Sequence, residues 1–153
     1  QILDVIYFLD CVEERLEHME PQGPMSSFHS VCRPSISIKD YVYRIAQYAR
    51  CSPQCFVLAV IYIDRMRSEE TVEINTLTIH RLAITAIVVA SKFLDDRYHS
   101  NATFAKIGGT TGSELNVLEL EFVFRLRFEL YVSSECFEAY SQHISNFRAS
   151  REL

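Results

Sequence analysis

This sequence predicts an all-α domain, with five central helices and one flanking helix at each end. Apolar residues recur at the three-and-four spacing of a helix in one segment after another, with polar caps between segments. No segment keeps the alternation of a strand, apart from a short stretch from Arg127 to Val132 that reads as a linker between helices. Leu82 to Asp96 is nearly apolar on every side before it ends in Lys92, Phe93 and two acids, which marks it as the central helix. With 153 residues and 48% apolar content, the chain has the size of about one domain with one core.

The elements follow in order. Ile2 to about Met19 places Leu3, Ile6, Tyr7, Leu9, Val12 and Leu16 at helical spacing, with Glu13, Glu14, Arg15 and Glu17 on the other face. Pro21 to Pro34 holds three prolines among small and polar residues and reads as a connection. Ser37 then caps a helix whose Tyr41, Ile45, Ala46 and Tyr48 face inward. Ser52-Pro53 starts the next, serine accepting backbone N–H bonds and proline taking the first helical position, and it runs to Met66 or Arg67. The central helix opens at Asn75 or Thr76 and reaches Asp95 or Asp96. A short helix from Ala102 to Ile107 stops at Gly108-Gly109, where glycine takes a left-handed cap. Ser113 caps a helix that buries Leu115, Leu118, Phe122, Val123 and Leu126 and ends near Arg127. Ser133 or Ser134 opens the last, through about Phe147. This divides the chain, as one compact domain overall, into 1–34, a helix and Pro-containing linker; 35–132, the main body; and 133–153, a terminal helix.

Composition narrows the function. Fifteen basic against twenty acidic residues give a net charge of −5, which argues against a nucleic-acid partner, because phosphate-backbone binding depends on lysine and arginine releasing counterions. Apolar runs fall short of the ~20 residues a bilayer requires, and Gln1-Ile2-Leu3-Asp4 lacks the basic start of a signal peptide, so no membrane partner is expected. Five cysteines without a C-x-x-C spacing suit a reducing compartment, cytoplasmic and/or nuclear. A zinc site pairing Cys51 and Cys55 with a histidine finds no second histidine close in sequence, and no metal or cofactor is expected. Cys51 or Cys136 with a histidine such as His143 would be the elements of a thiol enzyme, but no spacing supports that geometry, so neither catalytic residues nor a small-molecule substrate is assigned. Gly108-Gly109-Thr110-Thr111-Gly112 lacks the lysine of a phosphate loop and reads as a cap and turn. Tyr41, Tyr43 and Tyr48 read as core and rim, not as a recognition cage. Lys92, taken alone, reads as a side chain that snorkels from an apolar helix. Asp95 and Asp96 stand where the helix dipole disfavours negative charge, so neutralisation by Arg97 is expected in preference to an acidic contact with a basic partner.

Four motifs then occur in order: Ser52-Pro53, Tyr62-Ile63-Asp64-Arg65-Met66, Ala90-Ser91-Lys92-Phe93-Leu94-Asp95-Asp96 and Leu118-Glu119-Leu120-Glu121-Phe122. Over about Ile36 to Val132 they resemble the cyclin box. Phe28-His29, Pro34-Ser35-Ile36-Ser37-Ile38, Tyr48-Ala49-Arg50-Cys51-Ser52-Pro53 and Phe93-Leu94-Asp95-Asp96-Arg97-Tyr98 resemble, more narrowly, the small single-box P-type or U-type cyclins, the phosphate-signalling type. The resemblance implies a five-helix box that binds and activates a cyclin-dependent protein kinase catalytic subunit and carries no chemistry of its own. It assigns kinase binding to Lys92, Phe93, Glu119 and Val123, with Glu121, roughly 200° further around the helix, as the alternative to Glu119. It gives Asp64 a structural role, paired in the family with an arginine; here Ser35 holds that position and Arg33 is the candidate partner. The helix-one substrate-docking motif of larger cyclins is replaced by Ser35-Ile36-Ser37-Ile38-Lys39-Asp40 and is not carried over. A transcription-factor-like adaptor of the same fold, without kinase activation, is the alternative function.

Overall fold

In the computed structural model, which describes residues 1–69 and 71–152, the chain folds into seven helices, with no strand among the described residues. They are α1 (Ile2–Leu16), α2 (Ile38–Ala49), α3 (Gln54–Ser68), α4 (Ile79–Leu94), α5 (Asn101–Gly108), α6 (Gly112–Arg125) and α7 (Ser134–Glu152). α3 and α4 pack against each other at the centre, α1 covers α2 and α3, α6 lies on α4 and α5, and α7 closes over α1 and α3. α4 is buried from Ile79 to Ser91 except at Arg81, as its all-round apolar sequence requires. Its two buried hydroxyls return their bonds to the helix itself: Thr85 donates to Arg81 O at 2.6 Å and Ser91 to Val88 O at 2.9 Å.

Helix starts explain most boundaries. Ser37 accepts the N–H of Asp40 and caps α2, as expected. The N–H of Ile38, the next orphan donor, is taken at 2.8 Å by the buried carboxylate of Glu13, which reaches across from α1. α4 begins at Ile79 and not at Asn75 or Thr76, because those residues first make a turn: Asn75 Oδ1 accepts the Leu77 N–H and Thr78 Oγ1 that of Asn75. α6 is capped by Thr111 and not by Ser113. Thr111 keeps an extended backbone and accepts the Glu114 N–H, the serine/threonine to glutamate spacing of a capping box. Gly109, at φ +67°, ends α5 in the left-handed conformation expected for it.

The outer helices differ more from expectation. α1 ends at Leu16, short of Met19, where successive turn bonds unwind it. α6 stops at Arg125, two residues before Arg127, which already has a positive φ. α7 continues past Phe147 to Glu152 because it leans on α1: Ser145 and Arg148 each meet Asp4 at 3.2 Å, and Phe147 packs edge-on to Phe8.

The connection between α1 and α2 is anchored along its length. Phe28 is fully buried with its ring edge-on to Phe122 of α6. Arg81 donates to Ser27 O at 3.1 Å, Ser30 N donates to Leu77 O at 2.8 Å, and the Glu73 carboxylate accepts the N–H groups of Gln22 and Gly23.

Candidate functional site

The charged end of α4 meets the middle of α6. Lys92, one turn from the end of α4, places its Nζ 2.9 Å from Glu119 Oε1 and 2.7 Å from Oε2, so the two side chains form a close ion pair that is less than one-third exposed. The pair sits in a cleft of about 330 Å³ lined by Val89, Lys92, Phe93, Glu119, Leu120, Val123 and Leu130. The four residues expected to share a surface, Lys92, Phe93, Glu119 and Val123, therefore converge in one place. Glu121 does not join them. It faces away and pairs with Arg125 at 2.8 Å, while Arg125 also donates to Thr71 O.

Apolar surface surrounds the ion pair. Phe93 is 49% exposed and Leu120 68%, and the row continues through Phe124 (68%) and Phe128 (63%), whose rings meet edge to face. Exposed phenylalanines grouped this way are unusual on a lone soluble domain and mark a contact surface. Sequence spacing gave no sign of Leu120, Phe124 or Phe128, since on a helix packed on one side they read as ordinary outward positions.

The edge formed by residues 126–131 depends on an uncommon backbone. Arg127 and Phe128 both have positive φ, 56° and 59°, and Phe128 N returns to Val123 O at 3.0 Å, closing the end of α6. The chain then turns back under the hydroxyl of Tyr62, which donates to Leu130 O at 2.7 Å, and under Arg65, which donates to the carbonyls of Glu129 and Tyr131. Two residues of the Tyr62-Ile63-Asp64-Arg65-Met66 motif thus set Leu130 against the cleft.

Asp64 and Arg33 do not pair with each other. Arg33 lies in the connection and bonds Glu17 at 2.5 Å, whereas Asp64 on α3 takes Arg67 at 2.8 Å and the Tyr140 hydroxyl of α7 at 2.5 Å. Burial raises the Asp64 carboxyl, but the bonds from Tyr140 and Arg67 outweigh it and hold the group below the ordinary carboxylate value. Asp64 ties α3 to α7, a structural role with different partners from the one expected.

Asp95 also has partners the sequence did not suggest. Its carboxylate accepts the backbone N–H of Ser52 at 3.0 Å, the Ser52 hydroxyl at 2.5 Å and the Cys55 thiol at 3.3 Å, and Arg97 is not among its contacts. Ser52 is not the acceptor expected at the start of α3: Pro53 stands at the N-cap and not at the first helical position, no side chain caps the helix, and the Ser52 hydroxyl donates to Asp95. The acid that ends α4 stands at the N-terminal end of α3, where the helix dipole favours negative charge. Burial raises its carboxyl, and the bonds from Ser52 and Cys55 more than reverse that and lower it.

Cys136 and His143 are seven residues apart on α7, a separation of roughly 10 Å along the axis, so they do not form a thiol–imidazole pair. No group of three or more His, Cys, Asp or Glu side chains placed to hold a metal occurs among the described residues. No helix among them is long and apolar enough to cross a membrane.

The model of the cyclin family matches residues 10–130, which contain both sides of the cleft. The chain belongs to the cyclin family. Over 121 residues it is 48% identical to Cyclin-U4-1 of Arabidopsis thaliana, covering 78% of this chain and 60% of that one. It is 42% identical over 135 residues to Cyclin-U4-3 of the same plant, covering 88% of this chain and 62% of the relative. To Cyclin-P3-1 of Oryza sativa subsp. japonica it is 43% identical over 128 residues, covering 84% of this chain and 54% of the relative. This cyclin therefore groups with the U-type and P-type plant cyclins. It spans about three-fifths of the length of the curated relatives it matches.

Proposed function

We propose that this cyclin is a regulatory subunit that docks beside the C-helix of a cyclin-dependent protein kinase and activates it. The observation that carries this reading is the Lys92–Glu119 ion pair, held on two packed helices and ringed by exposed Phe93 and Leu120. A half-buried ion pair gives a partner direction and register, and the apolar groups around it supply the area that drives association. The surface suits a protein partner, with no catalytic group of its own, no cofactor and no small-molecule substrate assigned to it. A cytoplasmic or nuclear setting goes with this reading and with five free cysteines.

Activation follows from what a kinase requires. Its β3 lysine must meet the C-helix glutamate, and its activation loop must be ordered clear of the active site. A rigid partner that binds only the inward position of the C-helix shifts the population by its difference in affinity for the two states. α4 is well suited to be that partner, because its docking end is continuous with the most deeply buried helix face of the molecule.

Lys92→Ala and Glu119→Ala should each weaken binding of a purified cyclin-dependent kinase catalytic subunit by about 2 kcal/mol or more, because each leaves one half-buried charge without its partner. Titration calorimetry reads the effect directly. Unchanged affinity in both variants would remove the reading.

A further inference from the structure

Glu119 Oε1 is not held by Lys92 alone. Asn101, the first residue of α5, points its Nδ2 at Asn116 Oδ1 of α6 at 2.7 Å and at Glu119 Oε1 at 3.4 Å. Its own Oδ1 is buried and has no hydrogen-bond partner. Satisfying both donor protons while leaving a buried acceptor empty is an unfavourable way to place an amide unless the acceptors in front of it fix its orientation. Those acceptors are Asn116 and the carboxylate of the ion pair.

We propose that Asn101, oriented by Asn116, is a positioning residue for the kinase-docking pair: it fixes the Glu119 carboxylate against Lys92 before the partner arrives. The inference rests on the docking reading above and adds to it a residue outside the cleft lining. A carboxylate on a three-bond side chain has several rotamers, and each one other than that facing Lys92 subtracts from the binding-competent population. A donor fixed at the start of α5 removes part of that freedom. It also makes the junction of α5 and α6 part of the docking machinery, although neither asparagine carries charge.

The test uses the full chain and a plant cyclin-dependent kinase catalytic subunit that binds the parent protein. Asn101→Asp keeps the shape but replaces the donor with a second negative charge, and it should weaken binding more than tenfold; Asn101→Ala should weaken it about fivefold. In a Glu119→Ala background, which leaves no acceptor, Asn101→Ala should add no further loss. If Asn101 only joins α5 to α6, the variants lower the melting temperature and leave affinity unchanged in the parent, which overturns the inference. If the Asn101 losses are the same with Glu119→Ala as without it, Asn101 acts elsewhere and the inference also falls. Lys92→Ala and Glu119→Ala measured alongside separate the two claims. Loss in those two with none in Asn101→Asp overturns only the positioning role, whereas no loss in any variant overturns the docking reading and the positioning role with it.

Discussion

Asp95 shows how one side chain can serve two helices. At the end of α4 it would be a minor electrostatic burden, yet the fold turns it toward the start of α3, where it accepts the N–H and hydroxyl of Ser52, just ahead of the helix, and the thiol of Cys55. Asp95→Ala should cost about 1 kcal/mol of stability, the usual net size of a lost hydrogen bond. The pH dependence has a definite sign. The folded carboxyl lies below its ordinary value of 3.8, so its contribution is complete above that value and is lost as the pH falls through the lowered one. The difference in melting temperature between Asp95→Ala and the parent should therefore be full at pH 7 and shrink on acidification toward pH 3. A difference independent of pH would mean that Asp95 acts through packing and not through its charge. Sequence reasoning found the acid and its unfavourable position, but its partner lies 43 residues away, just ahead of another helix, and no local pattern carries that distance. Lys92 and Glu119 were legible for the opposite reason, since each sits in a motif whose order along the chain is itself informative.

At the scale of elements, the readable features were those with a period or a cap of their own. α3 and α4 were plain from their apolar faces, and Ser37 from its place before a helix. The starts of α4 and α6 were misplaced because two hydroxyl or amide residues lay within three positions of each other and either could cap. Only the backbone conformation decided between them. The connection was legible as non-helical, but its attachment was not. Three prolines announced an irregular path and gave no hint that Phe28 fills the core beside Phe122. Phe28→Ala should destabilise the chain by about 3 to 5 kcal/mol, the range for a phenylalanine removed from a well-packed interior. Denaturant unfolding measures it, and a loss below 1 kcal/mol would mean that the connection is held by its hydrogen bonds alone.

For the whole molecule, the box and its flanks share one interior. α7 fastens to α3 through Tyr140 and Asp64 and to α1 through Arg148 and Asp4, and α1 reaches the first box helix through Glu13. The sequence reading named residues 35–132 as the main body of one compact domain, but periodicity describes one segment at a time and did not show how the flanking helices attach. Packing between segments depends on which faces meet, and spacing along the chain does not encode that.

The buried carboxylate of Glu13 has a practical consequence for anyone wishing to shorten this protein. Cutting at residue 35 would remove the acceptor for the Ile38 amide together with the Phe28 ring, so a fragment of 35–132 loses the first bond of its own first helix and opens a hole beside Phe122. Such a fragment should bind hydrophobic dyes and melt without a sharp transition, while a piece beginning before Glu13 and retaining α7 should unfold cooperatively. Calorimetry on the two pieces would locate the smallest portion able to stand alone. Glu13 puts that limit inside α1, upstream of every residue that lines the cleft.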